Sequence, residues 1–360
     1  MKRTTLAAAS VAALALTLPT TGAATAAPAA PAPAADAQVV AKGLLSPLSL
    51  AVKSNGTAYV AQNFAGRLMK VRKGEKPVVV ATAMEGREIG AVDVTGNVIT
   101  YAVSWGENEG GIVRQVRNGR TRTIGDIGAA ERATDPDAGN AYGFQGLEEG
   151  CEAPEFTEPR GGVTETHPYA TAVAGDTVYV ADAGANAVFA VTGGEVTPVA
   201  ALPPVAVEVS EEAAAAQEWD PCVAGHTLNL EAVPTDIEVG RDGALYVSSL
   251  GPENPLLGAE GGVFKIDPAT GTVTRHVSGF VGVTGLAVAT NGDVYVTELF
   301  GGAITKVPAG GGDRVVVRRP AMPAAVELKG GSLWATTNAM TGLSGEPGDV
   351  PNGKVMRFGL

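Results

Sequence analysis

The stretch PTDIEVGRDGALYVSS, Pro234–Ser249, decides the fold. Ile237 and Val239 alternate with Asp236 and Glu238, a period of two that marks a strand and not a helix. Arg241-Asp242-Gly243 then supplies the positive backbone angles of a tight hairpin. A second strand, LYVS, places Tyr246 where a half-buried pleated surface favours an aromatic ring. A third, GGVFKI, follows after a glycine-containing loop.

The same phrase recurs along the chain. PLSLAVKSNGTAYVAQ begins at Pro47, PYATAVAGDTVYVADAGANAVFAV at Pro168, VTGLAVATNGDVYVTELFGGAITKV at Val283 and PAAVELKGGSLWATT at Pro323. A weaker copy, IGAVDVTGNVITYAV, begins at Ile89. Six copies of a strand–turn–strand–turn–strand unit predict an all-β, six-bladed β-propeller. A fourth, outer strand is expected in each blade, at Lys76–Thr82, Thr121–Gly125, Glu195–Ala200, Val273–Ser278 and Asp313–Arg318. The last copy ends at Leu360 without one, so Gln38–Gly43 is expected to close the last blade as its outermost strand.

The chain has 360 residues, of which 45% are hydrophobic, enough for a substantial core. Met1-Lys2-Arg3, the apolar run Leu6–Leu18 and Ala24-Thr25-Ala26 have the order of a secretory signal peptide, residues 1–26, cleaved after about Ala26. Residues 27–37 read as a Pro/Ala linker and 38–360 as one propeller domain. The apolar run is short for a bilayer span and no second one follows, so the expected product is secreted, without a membrane span, and monomeric. A formal net charge of −12 argues against nucleic acid as a partner.

The spacing between copies leaves a surplus in two places, Asp126–Glu165 and Pro203–Val233. Each joins the outer strand of one blade to the inner strand of the next, so both belong on the same face. Helices are expected at Ile127–Ala133 and at Ser210–Glu218, where Ser210 is a good N-cap ahead of glutamates and alanines. The two cysteines, Cys151 and Cys222, fall one in each insertion. Pairing is the expectation for an exported chain, two free thiols the alternative.

VPTDIEVGRDGALYV, HPYATAVAGDTVYVADAGANAVFAV and VTGLAVATNGDVYVTEL resemble the ScyD/ScyE family of exported bacterial propellers, related to NHL-repeat and gluconolactonase-like six-bladed proteins. The resemblance implies the fold and an extracellular setting, and it carries no catalytic residue across. Related lactonases hold Ca²⁺ at the axis through carboxylates and Asn, which makes Ca²⁺ the cofactor to consider. The corresponding positions here are Ser49, Ala91, Ala170, Asp236, Gly285 and Ala325, with one ligand-type side chain among them.

Two residues further on the positions read Ala51, Asp93, Ala172, Glu238, Ala287 and Glu327. Asp93, Glu238 and Glu327 are therefore candidate axial carboxylates, set against the alternative of pairing between blades. A rim set of Asn63, His167, Asp182, Asn186, Asp236 and Glu298 is the candidate ligand-binding group. For Asp182 and Asn186 the competing role is an Asx-type turn, and for His167 an ordinary loop hydrogen bond. No nucleophile elbow, zinc-protease motif or phosphate loop is present. These observations favour a non-enzymatic binding or scaffold propeller that uses the insertion-bearing face and the tunnel mouth for a small molecule or an extracellular protein. A metal-dependent hydrolase or lactonase, or an accessory protein in natural-product or pigment biosynthesis, is the alternative.

Overall fold

The computed structural model describes residues 37–155, 157–252, 255–258 and 260–360. The expected signal peptide and nearly all of the linker lie outside the described residues. Among those described, six four-stranded antiparallel sheets follow the chain as meanders. Sheet 1 contains Pro47–Val52, Ala58–Gln62, Arg67–Val71 and Val78–Thr82. Sheet 2 contains Arg87–Thr95, Val98–Trp105, Gly110–Arg117 and Arg120–Asp126; sheet 3 contains Pro168–Ala174, Thr177–Asp182, Ala187–Thr192 and Glu195–Ala201. Sheet 4 is formed by Pro234–Val239, Leu245–Ser249, Gly261–Ile266 and Val273–Phe280, and sheet 5 by Val283–Val288, Val294–Glu298, Ala303–Val307 and Val315–Arg318. Sheet 6 takes Val326–Lys329, Ser332–Thr337 and Gly353–Gly359, and its outermost strand is Gln38–Leu44 from the start of the domain.

The repeated turns explain the repeated hairpins. Asn55, Asp242 and Asn291 each accept a hydrogen bond from the backbone N–H two residues on, at 3.1, 3.2 and 3.1 Å. The glycine between takes a φ of +78°, +80° and +89° in turn, a conformation that glycine adopts without steric cost.

The aromatic residue of each second strand fills the gap to the following sheet. Tyr59 packs with Val92 and Ile99, Tyr246 with Leu286 and Val296, Tyr295 with Val326 and Leu333. Trp334 of sheet 6 packs with Leu50 and Val60 of sheet 1, so the series returns to its start. Sheet 2 is the exception: Thr100 holds the aromatic position, and Tyr101 faces back toward sheet 1. Accordingly the gap between sheets 2 and 3 is filled from elsewhere, by Val113, Ile127, Val180 and Phe189. First strands touch in the order of sheets 1, 2, 3, 4, 5, 6 and back to 1, which gathers them around one axis. Their approach is close: a side chain at Gly90 would meet the Pro168 carbonyl at 2.6 Å.

The two insertions form a unit of their own. Helix Ile127–Thr134 is capped by Asp126, whose carboxylate accepts from Ala129 N at 2.9 Å; helix Glu211–Ala216 is capped by Ser210. A three-stranded sheet, which the repeat pattern does not foretell, sets Thr227–Leu230 between Gly143–Gln145 and Val205–Glu208. One strand comes from the first insertion and two from the second. Phe144, Val207, Val209, Ala213, Val223 and Leu228 form its core, with Trp219 edge-on to Phe144 at 5.8 Å. Cys151 and Cys222 are disulfide-bonded with Cα atoms 5.8 Å apart, tying the insertions together.

The bond closes a loop across a sequence separation of 71 residues, so in the loop-entropy treatment its loss is expected to cost about 4 kcal/mol. The paired substitutions Cys151→Ser and Cys222→Ser should lower the thermal midpoint by several degrees while leaving the far-ultraviolet spectrum of the sheets intact. An unchanged midpoint in a calorimetric scan would contradict this.

Candidate functional site

Two cavities lie in line along the axis, sharing Leu48 and Thr235 in their walls. The outer one, about 320 Å³, opens on the face that carries the insertions. Its walls include Leu48 and Tyr169 from the first strands of sheets 1 and 3, and Phe64, Leu299, Phe300 and Met340 from loops of sheets 1, 5 and 6. Phe64 and Phe300 are 48% and 47% exposed, a large apolar surface to leave in water.

Against this apolar wall stands a polar chain. His167 Nδ1 lies 2.9 Å from Asn108 Oδ1, and Asn108 Nδ2 donates to Glu165 Oε2 at 2.8 Å. With the amide nitrogen committed to Glu165, Asn108 offers its oxygen to His167, so Nδ1 carries a proton. His167 Nε2 lies 3.3 Å from Glu88 Oε2, an ion-pair distance without hydrogen-bond alignment. Burial pushes the imidazole pKa down, but Glu88, Asp182 and Glu165 together outweigh it, and the net shift is upward. The surrounding carboxylates thus favour the charged imidazolium more than water would. Tyr169, beside His167 with ring centroids 6.0 Å apart, has its phenol pKa raised by burial and by the charges of Glu88 and Asp236.

The inner cavity, about 200 Å³, brings together Asp93, Asp236, Glu238, Glu327 and Lys329 with Ser49 and Thr171. Its polar groups meet a constraint of the architecture: the first strand of every sheet is an inner edge with unpaired N–H groups. Side chains of the preceding sheet satisfy several of them. Ser49 Oγ accepts from Val92 N at 3.0 Å, Asp93 Oδ2 from Val173 N at 3.1 Å and Asp236 Oδ2 from Leu286 N at 2.8 Å. Asp236 Oδ1 also accepts from Ile237 N at 2.9 Å. Burial raises the Asp236 carboxyl to about 7 against those hydrogen bonds. Burial first, then mutual repulsion with the other axial carboxyls, drives Glu238 and Glu327 well above the usual range; Lys329 offsets part of this.

The other residues of the rim set occupy structural positions below the mouth. Asp182 accepts from Thr166 Oγ1 and His167 N at 2.6 Å each, and from Gly184 N and Ala185 N. Asn186, at a φ of +48°, bridges Asp137 Oδ2 and Val233 N. Glu298 accepts from Val281 N and Thr305 Oγ1. Asn63 is fully buried, and its side-chain amide has no partner among the described residues. Of that set, His167 alone borders the outer cavity. Glu88, Asn108 and Glu165 join it from three separate segments, without a motif to announce them.

An axial calcium centre of the lactonase kind does not fit these donors. Asp236, the one ligand-type side chain at those positions, is committed to two backbone N–H groups. No three of the axial carboxylates bring an oxygen each within 4.8 Å of one another.

No known protein-family profile matches the chain, and no curated protein matches it in sequence. Solved structures do match in fold. A PQQ-bound aldose sugar dehydrogenase of Streptomyces coelicolor superposes with a TM-score of 0.55 at 13% identity, over 91% of this chain and 99% of that one. A gluconolactonase of Xanthomonas campestris gives 0.52 at 12% identity, over 92% and 97%. Virginiamycin B lyase of Staphylococcus aureus, with quinupristin, gives 0.50 at 13%, over 90% and 98%. At such identities the likeness shows the β-propeller fold alone.

Neutral carboxyls in the inner cavity bind more protons folded than unfolded, so stability falls as pH rises from the ordinary carboxylate range through about 7. His167, with its raised pKa, contributes in the same direction above its unfolded value. Glu238→Gln and Glu327→Gln should flatten this decline and stabilise the protein by at least about 1 kcal/mol at mildly alkaline pH. Denaturant midpoints across the pH range test this; parallel curves for variant and parent would refute it.

Proposed function

We propose that this chain is an exported, six-bladed β-propeller of the ScyD/ScyE kind, one domain over residues 38–360, that binds a small molecule at its insertion-bearing mouth without transforming it. The observation that carries this reading is the outer cavity: exposed Phe64 and Phe300 face a fixed His167–Asn108–Glu165 chain in a pocket of about 320 Å³. Pockets of that size, apolar with a few oriented polar groups, suit a ligand with an aromatic or aliphatic body and a hydrogen-bonding head. Rigidity favours binding too, since the disulfide and the three-stranded sheet hold the insertion beside the mouth in place. The six sheets serve as the blades, and a signal peptide cleaved after about Ala26 with a 27–37 linker accounts for the N-terminal composition.

A second reading, hydrolysis in the manner of the gluconolactonase-like superfamily, draws on the His167–Glu88 pair beside Tyr169. Assay of simple lactones with and without added divalent cation separates the two: turnover that is lost in His167→Ala favours the enzyme.

For the binding reading, anilinonaphthalene sulfonate is a suitable probe, having an aromatic body and a polar head. Its fluorescence should rise on addition of the folded protein. Phe64→Ala and Phe300→Ala should each weaken binding about fivefold to tenfold, the scale of a lost aromatic contact. Arg122→Ala, at the far side of sheet 2, should leave it unchanged. Equal binding by all variants would reject the mouth as the site.

A further inference from the structure

Helix Ile127–Thr134 ends in a cluster that neither cavity uses. Glu131 on its last turn, Asp135 at its C-cap and Asp137 in the following turn present one carboxylate oxygen each, all within 4.8 Å of one another. Glu131 and Asp137 are each 1% exposed. Both oxygens of Glu131, Oδ1 of Asp135 and Oδ1 of Asp137 have no hydrogen-bond partner among the described residues. Two buried carboxylates and a half-buried third, with four unsatisfied oxygens between them, are costly unless a positive charge sits among them.

The nearby cations are engaged elsewhere. Arg132 donates to the Glu109 carbonyl, and Arg160 is paired with Glu231 while lying over the Tyr142 ring. The helix adds to the demand, because its C-terminal end presents partial negative charge to the same point. Asp182 adds a further negative charge close to Glu131.

The surroundings orient these oxygens toward a common point. Asp137 Oδ2 accepts from the Tyr142 hydroxyl at 2.8 Å and from Asn186 Nδ2 at 3.1 Å, which leaves Oδ1 free. Such outer contacts are how proteins aim a ligating carboxylate. Gly162 lies against that free oxygen, and a Cβ there would collide with it, so glycine keeps the space open. We propose that Glu131, Asp135 and Asp137 hold one Ca²⁺ ion, which locks the first insertion onto sheet 3. The donors are all hard oxygens, as Ca²⁺ takes and Zn²⁺ does not favour. Their mutual distances, all within 4.8 Å, fall inside a single Ca²⁺ shell, which is about 5 Å across at ordinary Ca–O lengths. Through Asn186, which also binds Val233 N, the ion would couple the first insertion to the end of the second.

The test uses the full chain, stripped with chelator at near-neutral pH. Calorimetric titration with CaCl₂ should give one ion per chain, and saturating Ca²⁺ should raise the thermal midpoint by about 5 °C. Tb³⁺ should show emission sensitised through Tyr142, displaced by Ca²⁺. Glu131→Gln should weaken Ca²⁺ at least about tenfold. In chelator the same variant should be no less stable than the parent, because a buried charge has gone. The double variant Glu238→Gln/Glu327→Gln, in the inner cavity, should keep the Ca²⁺ response. Absence of both heat and midpoint shift at millimolar Ca²⁺ overturns the assignment. So does a response lost with the inner-cavity variant instead, undiminished binding by Glu131→Gln, or an equal response to Mg²⁺. Should Glu131→Gln fail to fold, Asp137→Asn and the Tb³⁺ signal of the parent decide the matter.

Discussion

Pairing of Gln38–Leu44 with Gly353–Gly359 is the interaction on which the rest depends. It builds one sheet from both ends of the chain. Without it the last sheet would expose a strand edge, and Val40, Ala41 and Leu44 would leave the core they share with Leu50, Val60 and Trp334. That core is the junction between the last sheet and the first. A ring of sheets has no independent halves, so the geometry of the mouth and of the channel requires this junction to be shut.

Closure has an electrostatic consequence at the centre. Gathering first strands around one axis leaves their inner N–H groups without sheet partners, and short polar side chains take that place: Ser49, Asp93 and Asp236. A carboxylate is a good acceptor there, but it is drawn into a narrow space with others of its kind. Glu238 and Glu327 have no such hydrogen bond to compensate, and burial together with repulsion favours their neutral forms. The channel is thus a place where protons matter to stability.

The insertions turn a symmetric scaffold into an asymmetric one. Their own core, built on Phe144, Trp219 and the Cys151–Cys222 bond, is separate from the cores between sheets. Asn186 and Tyr142 join the two layers through Asp137, so the loop that leads to Glu165 and His167 is held from below. The wall of the mouth is thereby carried on a loop anchored by hydrogen bonds from beneath.

The sequence by itself determined the elements. Alternation of period two, Asn-Gly and Asp-Gly turns, the aromatic of each second strand, the closing strand at Gln38 and the pairing of two cysteines are local or arithmetic properties, legible without coordinates. The Asx turn of Asp182 with Gly184 and Ala185 is legible for the same reason. Tertiary structure alone decided which elements meet. Glu88, Asn108, Glu165 and His167 come from segments far apart in the chain, and the angle between neighbouring sheets sets their contact. The alternation of carboxylates among Asp93, Glu238 and Glu327 was visible as a pattern, but their energetic coupling depends on the width of the channel, which no periodicity encodes. Glu131, Asp135 and Asp137 lie close in sequence, but three carboxylates at a helix end carry no local signal of a site. What distinguishes them is the burial of Glu131 and Asp137, and burial is a property of the packed whole.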